Sequence, residues 1–293
     1  MKIFYKTYYF VILFAIISFI TADSYAQDVK YKIKYDTLKT IKTDTVKTVR
    51  MRIIKVVTVR SVPKFILQLS GFYNSGAMEL QGHNGGFSKN DFITGKNFGA
   101  RNGFGTSLTG KLPLHKLGHF WLDFTAGFNR FQSNLVIDNT KDGLASYNVF
   151  YGGTGIDYIF TPAHKVKYFL GANVVASVIS GNAELHFEKT SKYAKSKKEI
   201  DVKPSFRIGY SLYVGLEYAF EKNFGMNIGF KFTHANLLLK ESIQVTDTSE
   251  TVLNDGSSDP PVLYGGWKQF AYSSVFAGVS YYFGVIERRY RLP

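Results

Sequence analysis

The strongest constraint on this chain is an alternation with period two, sustained over stretches of ten residues and more. From Phe206 to Phe220, one face of an extended segment collects Phe206, Ile208, Tyr210, Leu212, Val214, Leu216, Tyr218 and Phe220. The other face collects Arg207, Gly209, Ser211, Tyr213, Gly215, Glu217 and Ala219. Successive side chains of a strand point to opposite faces, so this is the pattern of a β-strand with one apolar and one small or polar side. The next stretch repeats it, with Phe224, Met226, Ile228, Phe230 and Phe232 against Gly225, Asn227, Gly229, Lys231 and Thr233. Composition agrees: the aromatic share is 16%, with 27 Gly and only 7 Pro. That mixture suits strands crowded with rings on one face and bare on the other.

Six further stretches read the same way: Phe65–Tyr73, Gly103–Leu112, His119–Phe131, Asn148–Phe160, Tyr168–Gly181 and Tyr272–Val285. Eight strands result, an even number. A sandwich or soluble barrel such as a lipocalin also alternates, but turns its apolar face to a core and its polar face to water. Here the strands are long enough to cross a bilayer when tilted. Aromatic residues also stand at their ends, at Phe206 and Phe220, at Phe160 and Tyr168, and at Tyr281 and Phe283. The connections alternate in length. Pro113–Gly118, Thr161–Lys167 and Glu221–Asn223 are short, whereas Asn74–Asn102, Gln132–Tyr147, Asn182–Lys203 and Leu239–Ala271 are long. Short turns on one side and long loops on the other are the rhythm of outer-membrane barrels, with the short turns periplasmic.

From Phe65 to Val285 the chain resembles the small eight-stranded outer-membrane β-barrels of the OmpA/OmpX type. The resemblance rests on strand count, loop rhythm and the aromatic-ended last strand Phe276–Phe283, not on a diagnostic motif. It implies an all-β fold: an eight-stranded antiparallel up-and-down transmembrane barrel in the outer membrane of a Gram-negative cell, with both termini periplasmic. Members commonly end on the last strand's aromatic residue, whereas here Gly284–Pro293 continues beyond Phe283.

Residues 1–26 read as a signal peptide, with Lys2 and Lys6, an apolar run from Tyr8 to Ala22, and the small-x-small ending Ser24-Tyr25-Ala26. The expected organisation is therefore a signal peptide (1–26), a basic periplasmic extension (27–63), a barrel (64–285) and a short periplasmic tail (286–293). No second apolar run approaches the roughly 18 residues of a spanning helix. The absence of Cys excludes disulfides, thiolate metal sites, cysteine nucleophiles and a lipidated N-terminal cysteine.

An eight-stranded barrel has a lumen that side chains can fill. The inward register offers Arg101, Lys111, Asp123, Asp157, Arg207, Glu217 and Lys231, nearly balanced in sign. A paired network that plugs the lumen is one reading and a narrow ion-lined, porin-like passage is the other. Catalysis finds little support. His234 lies in Phe232-Thr233-His234-Ala235-Asn236, a loose likeness to the His-x-Ser-Asn pattern of outer-membrane lipid A deacylases, but Ala235 and Asn236 leave no hydroxyl for the nucleophile. His234 then reads as a polar interfacial residue at the outer end of its strand. No histidine pair has zinc spacing, and Glu250, Asp255 and Asp259 match no calcium loop. No catalytic residue, metal site or cofactor is expected.

The formal charge of +14 is concentrated. Residues 28–64 hold eleven Lys or Arg against three Asp, a net +8, including Lys39, Lys42, Lys47, Arg50, Arg52, Lys55 and Arg60. Within it, Asp36–Lys42 is echoed by Asp44–Arg50, and the Thr, Val and Ile content favours extended structure. Three readings stand: a solvated linker, a binder of an anionic periplasmic partner such as cell-wall polymer, or an edge for strand addition. A second basic group, Lys189, Lys192, Lys195, Lys197, Lys198 and Lys203, falls in the third long loop, where lipopolysaccharide would meet it. Nucleic acid is not an expected partner, because the compartment is wrong and no stacking motif accompanies the charge. The expected role is structural or interactive: periplasmic tethering through the extension or binding by surface loops. A small transporter or secretion accessory is the alternative, with a lipid A-modifying enzyme third.

Overall fold

The computed structural model describes residues 29–36, 50–78, 80, 100–137, 140–162, 164–186, 197–239, 250–251 and 269–292. The signal-peptide segment 1–26, Lys39, Lys42, Lys47, His83, Lys189, Lys192, Lys195, Asp255 and Asp259 lie outside these residues. All described elements are strands: β1 (Val29–Asp36), β2 (Arg50–Arg60), β3 (Phe65–Ala77), β4 (Asn102–Pro113), β5 (Phe120–Ile137), β6 (Thr140–Ile159), β7 (Val166–His186), β8 (Lys197–Tyr218), β9 (Phe224–Leu238), β10 (Glu250–Thr251), β11 (Ala271–Phe283) and β12 (Glu287–Leu292).

Eight of them close into a barrel. Each of β3 to β8 pairs with its successor, and β11 pairs antiparallel with both β9 and β3. The seam between first and last strands runs from Phe65 opposite Phe283 to Ala77 opposite Ala271. All eight expected strands are present and antiparallel. Two of the expected long loops are corrected, because Gln132–Tyr147 and Asn182–Lys203 are largely strand. The β5–β6 pairing continues to Ile137 and Thr140, and the β7–β8 pairing to His186 and Lys197. Glycine-poor, mixed sequence there hid the alternation that rings and glycines make plain lower down. The two-residue β10 adds in parallel to β8 at Asp201 and Val202.

The alternation decides which side of the wall faces out. Phe206, Leu212 and Tyr218 of β8 are exposed, whereas Arg207, Ser211, Glu217 and their neighbours on the same face are buried. On β9, Phe224, Met226 and Ile228 are exposed while Asn227 and Lys231 are buried. The outer surface is thus a continuous apolar belt, far larger than a soluble monomer exposes. Its edges are marked by rings. Phe65 and Tyr73 on β3, Phe120 and Phe128 on β5, Phe150 and Tyr158 on β6, and Phe224 and Phe232 on β9 are each eight residues apart. At about 3.3 Å per residue that is about 26 Å along a strand, or about 20 Å once tilted, near the height of an outer-membrane apolar band. At the short-turn edge the rings touch in series, with centroid separations of 5.6 Å for Phe65–Phe283, 4.6 Å for Tyr281–Phe283 and 4.9 Å for Phe224–Tyr281.

A second sheet joins the two ends of the chain. β1 and β12 pair antiparallel with the two sides of β2, giving the order β1-β2-β12. The extension and the tail, expected as separate segments, form one structure. Gly284, at φ 71°, turns the chain out of β11 in a conformation that favours glycine. The junction is then tied by Lys64 N donating to Phe283 O at 2.9 Å, Ser61 N to Ile286 O at 2.9 Å and Ile286 N to Ser61 Oγ at 2.8 Å.

The belt makes a direct prediction. Ile228, 54% exposed at the middle of β9, should tolerate Leu but not Arg. Ile228→Arg is expected to lower unfolding stability in lipid vesicles by about 2–4 kcal/mol, the cost of a cation near the bilayer midplane. Urea titration checks this, and an unchanged midpoint would place the residue outside lipid.

Candidate functional site

Six of the seven charged residues expected in the lumen are there. Lys111 on β4, Asp123 on β5, Asp157 on β6, Arg207 and Glu217 on β8, and Lys231 on β9 are all buried. Arg101 is the correction: it precedes β4 and is exposed, with its carbonyl accepting from Gly76 N at 2.8 Å. The face count does not extend to it, because alternation ends where the strand ends. In its place stands Lys167, buried on β7. Sequence reading left Lys167 in a short turn by starting the strand at Tyr168, whereas β7 begins at Val166.

The charges fall into two connected groups. In the first, Lys111 Nζ lies 2.5 Å from Asp157 Oδ2. The Tyr213 hydroxyl lies 2.7 Å from Asp123 Oδ2, against Asp157 Oδ1, and 3.0 Å from Asn173 Oδ1. Asn173 Nδ2 donates to Asp123 Oδ1 at 2.8 Å. Tyr213 can reach across because its register partner is Gly171, where a Cβ would collide with the tyrosine ring. In the second group, Glu217 accepts from Lys167 Nζ at 2.9 Å, Gln68 Nε2 at 3.0 Å and Ser280 Oγ at 3.1 Å. Asn227 Nδ2 donates to Ser280 Oγ at 3.1 Å. The Tyr213–Asp123, Gln68–Glu217 and Ser280–Glu217 contacts join strands that the backbone ladder does not pair, whereas Lys167 and Glu217 are register partners on β7 and β8.

The cations also sit over rings: Lys111 at 4.9 Å from the Phe169 centroid, Lys167 at 4.5 Å from Tyr282, and Lys231 at 5.0 Å from Tyr151. Ring faces attract desolvated cations. Lys111, Lys167 and Lys231 thus balance Asp123, Asp157 and Glu217 in number. Arg207 lies nearer the long-loop end and donates through Nη1 to the carbonyls of Phe206 at 2.9 Å and Leu239 at 2.7 Å.

Apolar clusters close the lumen on both sides of this network. At the short-turn end, Ile66, Trp121, Ile159, Ala219, Tyr282 and Val285 pack together and continue inward through Phe72, Phe169 and Phe276. Trp121 Nε1 donates to Gly118 O at 2.7 Å, so its polar atom is satisfied. At the long-loop end, Phe131, Tyr147, Phe270 and Tyr272 form a ring-on-ring cluster with Val149, Ile179 and Val202. A bulge in β9 helps to fill that end. The β8–β9 register passes from Tyr210 opposite His234 to Ile208 opposite Leu238, and residues 233–236 are all buried. Ala235 N donates to Phe270 O at 2.8 Å, Phe270 N to Asn236 Oδ1 at 2.6 Å, and Ser177 Oγ to Ala235 O at 2.8 Å. His234 therefore differs from its expected interfacial setting: it is buried, stacked on Tyr210 with centroids 5.8 Å apart. By register it keeps the face of its partner Tyr210, and the bulge that follows it packs over Gly209 of β8, where a Cβ would collide with His234 O.

Between the clusters a cavity of about 40 Å³ is lined in part by Ser70, Ser107, Thr125, Asn173 and Lys231, room for a few water molecules. The described residues contain no group of three or more His, Asp or Glu placed to hold a metal.

Outside the lumen, Arg50, Arg52, Lys55 and Arg60 of the basic extension lie on β2. Arg60 locks the second sheet to the barrel: its Nε is 3.0 Å from Glu287 Oε1 on β12, and its Nη1 donates to Glu221 O in the β8–β9 turn at 3.2 Å. Of the third-loop lysines, Lys197 and Lys198 start β8, and Lys203 is exposed on it.

A closed eight-stranded wall, apolar outside, edged by aromatic residues and polar within, is a small transmembrane β-barrel of the outer-membrane type. No protein-family model matches the chain, and no curated protein matches it. Among solved structures it is similar to Neisserial surface protein A, with 15% identity over 75% of this chain and 97% of that one and a TM-score of 0.39. It is similar to the N-terminal β-barrel domain of Pseudomonas aeruginosa OprF, at 10% identity over 73% of this chain and 96% of that one, with a TM-score of 0.30. A third is Ail, the attachment invasion locus protein of Yersinia pestis, at 7% identity over 78% of this chain and 99% of that one, with a TM-score of 0.35.

Removing one partner of a buried ion pair leaves the other charge stranded, at a cost of about 3–5 kcal/mol. Lys167→Met is expected to lose about that much stability, and Lys167→Met combined with Glu217→Leu distinctly less. Urea titration of the variants in lipid vesicles measures both, and a double variant as unstable as the sum of the two singles would mean that the pair is not coupled.

Proposed function

We propose that this is an integral outer-membrane protein whose barrel is a sealed anchor, with its short turns and both termini in the periplasm and its long hairpins at the cell surface. Its role in this reading is structural or interactive. The barrel holds the β1-β2-β12 sheet beneath the membrane as a tether to periplasmic material, and presents the extended hairpins, with their basic third loop, to lipopolysaccharide or other surface ligands. The observation that carries the reading is the lumen, where a paired charge network lies between two apolar clusters and leaves a cavity of about 40 Å³. A solute path would need those clusters to part. The placement of the termini follows the length rhythm of the connections, since short turns face the periplasm in such barrels.

The protein is read as non-enzymatic. His234, the residue with the strongest sequence claim to catalysis, is buried against Tyr210, and Ala235 and Asn236 supply no hydroxyl nucleophile beside it.

Reconstitution in planar bilayers tests the anchor reading. The expected result is no sustained conductance above the lipid baseline. A steady, large single-channel conductance would overturn it and favour the transporter alternative.

A further inference from the structure

Strand register sorts the residues of the second sheet by charge. Residues paired across antiparallel strands share a face, and alternate residues along a strand return to it. β1 pairs with β2 from Val29 opposite Val57 to Asp36 opposite Arg50, and β12 pairs with β2 from Glu287 opposite Arg60 to Leu292 opposite Lys55. One face therefore takes Lys30, Lys32 and Lys34 from β1, Arg50, Arg52 and Arg60 from β2, and Arg289 and Arg291 from β12. Its acids are Asp36 and Glu287, so eight basic residues against two acidic ones leave a net +6. The opposite face takes Tyr31, Ile33, Ile53, Val57, Val59 and Tyr290 among its apolar members, with Lys55 and Arg288 as its charges.

We infer that the basic face of the β1-β2-β12 sheet is a binding surface for an extended polyanion bearing carboxylates at regular intervals. The inference rests on the proposed periplasmic placement of this sheet and names the chemistry of the partner. Three observations carry it. The first is the sorting itself: near +6 on one face against +2 on the other is a directional charge, which a solvated linker does not need. The second is spacing. Residues two apart on a strand are about 6.7 Å from one another and neighbouring strands are about 4.8 Å apart, so Lys30, Lys32 and Lys34 of β1 and Arg289 and Arg291 of β12 form two rows that flank Ile54, Val56 and Thr58 of β2, a track that a chain of repeating acidic units can follow.

The third observation separates a soluble polymer from a membrane. An element that beds into the lipid interface does so by its apolar face, as amphipathic helices do, and here the basic residues are on the other one. Anionic headgroups are therefore the poorer fit, although the sheet begins only four residues from Phe65 and three from Phe283 at the aromatic edge of the barrel. The Arg60–Glu287 pair and the Arg60 bond to Glu221 O fix the sheet's near end to the barrel, so a polymer held on this face is held to the membrane.

The test uses the full chain reconstituted in zwitterionic phosphatidylcholine vesicles, with poly-L-glutamate as the probe. The wild type should bind, with the logarithm of affinity falling linearly against the logarithm of salt concentration as counterions are released. Lys32→Gln/Lys34→Gln/Arg52→Gln should lose binding at least about tenfold at low salt and flatten the salt dependence. Lys55→Gln/Arg288→Gln, which removes charge from the opposite face, should change it by less than about twofold. Equal losses in the two variants would overturn the inference, because net charge alone would then account for binding. So would failure of the wild type to bind, or a triple variant that loses attachment to phosphatidylglycerol vesicles while keeping poly-L-glutamate. Limited proteolysis of each variant reports whether the sheet still forms, and a variant that is newly cleaved between residues 29 and 60 is replaced by single Lys→Gln changes read in the same assay. Bilayer conductance is unaffected by any of these results, so a failed anchor and a failed polyanion site are told apart.

Discussion

Everything in this molecule depends on closing the seam between β3 and β11. Inside hydrocarbon no water is available to backbone amides and carbonyls, and each unsatisfied group costs several kcal/mol. An open sheet of eight strands would leave two edges in lipid. Thirteen register pairs between β3 and β11, from Phe65–Phe283 to Ala77–Ala271, remove them. Closure in turn fixes which residues share the lumen, and only then do Gln68 and Glu217, or Tyr213 and Asp123, come within reach.

The lumen shows how an inverted protein solves its packing. Lipid accepts the apolar side chains, so the interior receives the polar ones and must satisfy them with one another and with at most a few waters. It does so by balancing three lysines with three carboxylates, by seating lysines over rings, and by leaving glycine where a long side chain must cross, as Gly171 does for Tyr213. Pairing by geometry is needed as well as equality of number, since a buried charge without its partner costs more than the pair returns.

Much of this was legible in the sequence because the signal has period two and the strands are long. The outward faces of β8 and β9 and the inward positions of Lys111, Asp123, Asp157, Arg207, Glu217 and Lys231 follow from counting alternate residues. Counting fails where a strand begins, stops or slips. Arg101 lies one residue before β4, Lys167 lies one residue inside β7, and the register slips between His234 and Leu238, beside which His234 is buried. The upper parts of β5 to β8 carry few rings and glycines, and their mixed polar sequence does not mark their faces. The charge sorting of the second sheet was not legible, since it depends on which residue of β2 meets which residue of β1 and of β12, and the β2–β12 pairing joins segments more than two hundred residues apart.

That last relation gives the chain's ends a shared identity. β1 and β2 precede the barrel and β12 follows it, so the basic face is divided between segments made before the barrel strands and one made after them. Arg60 and Glu287 are 227 residues apart in sequence, yet adjacent once β3 has met β11. A chain truncated before β12, or one whose barrel has not closed, carries the lysines of β1 and the arginines of β2 without Arg289, Arg291 or the Arg60–Glu287 tie. The basic face is therefore a certificate of completion, whole only when the barrel is whole.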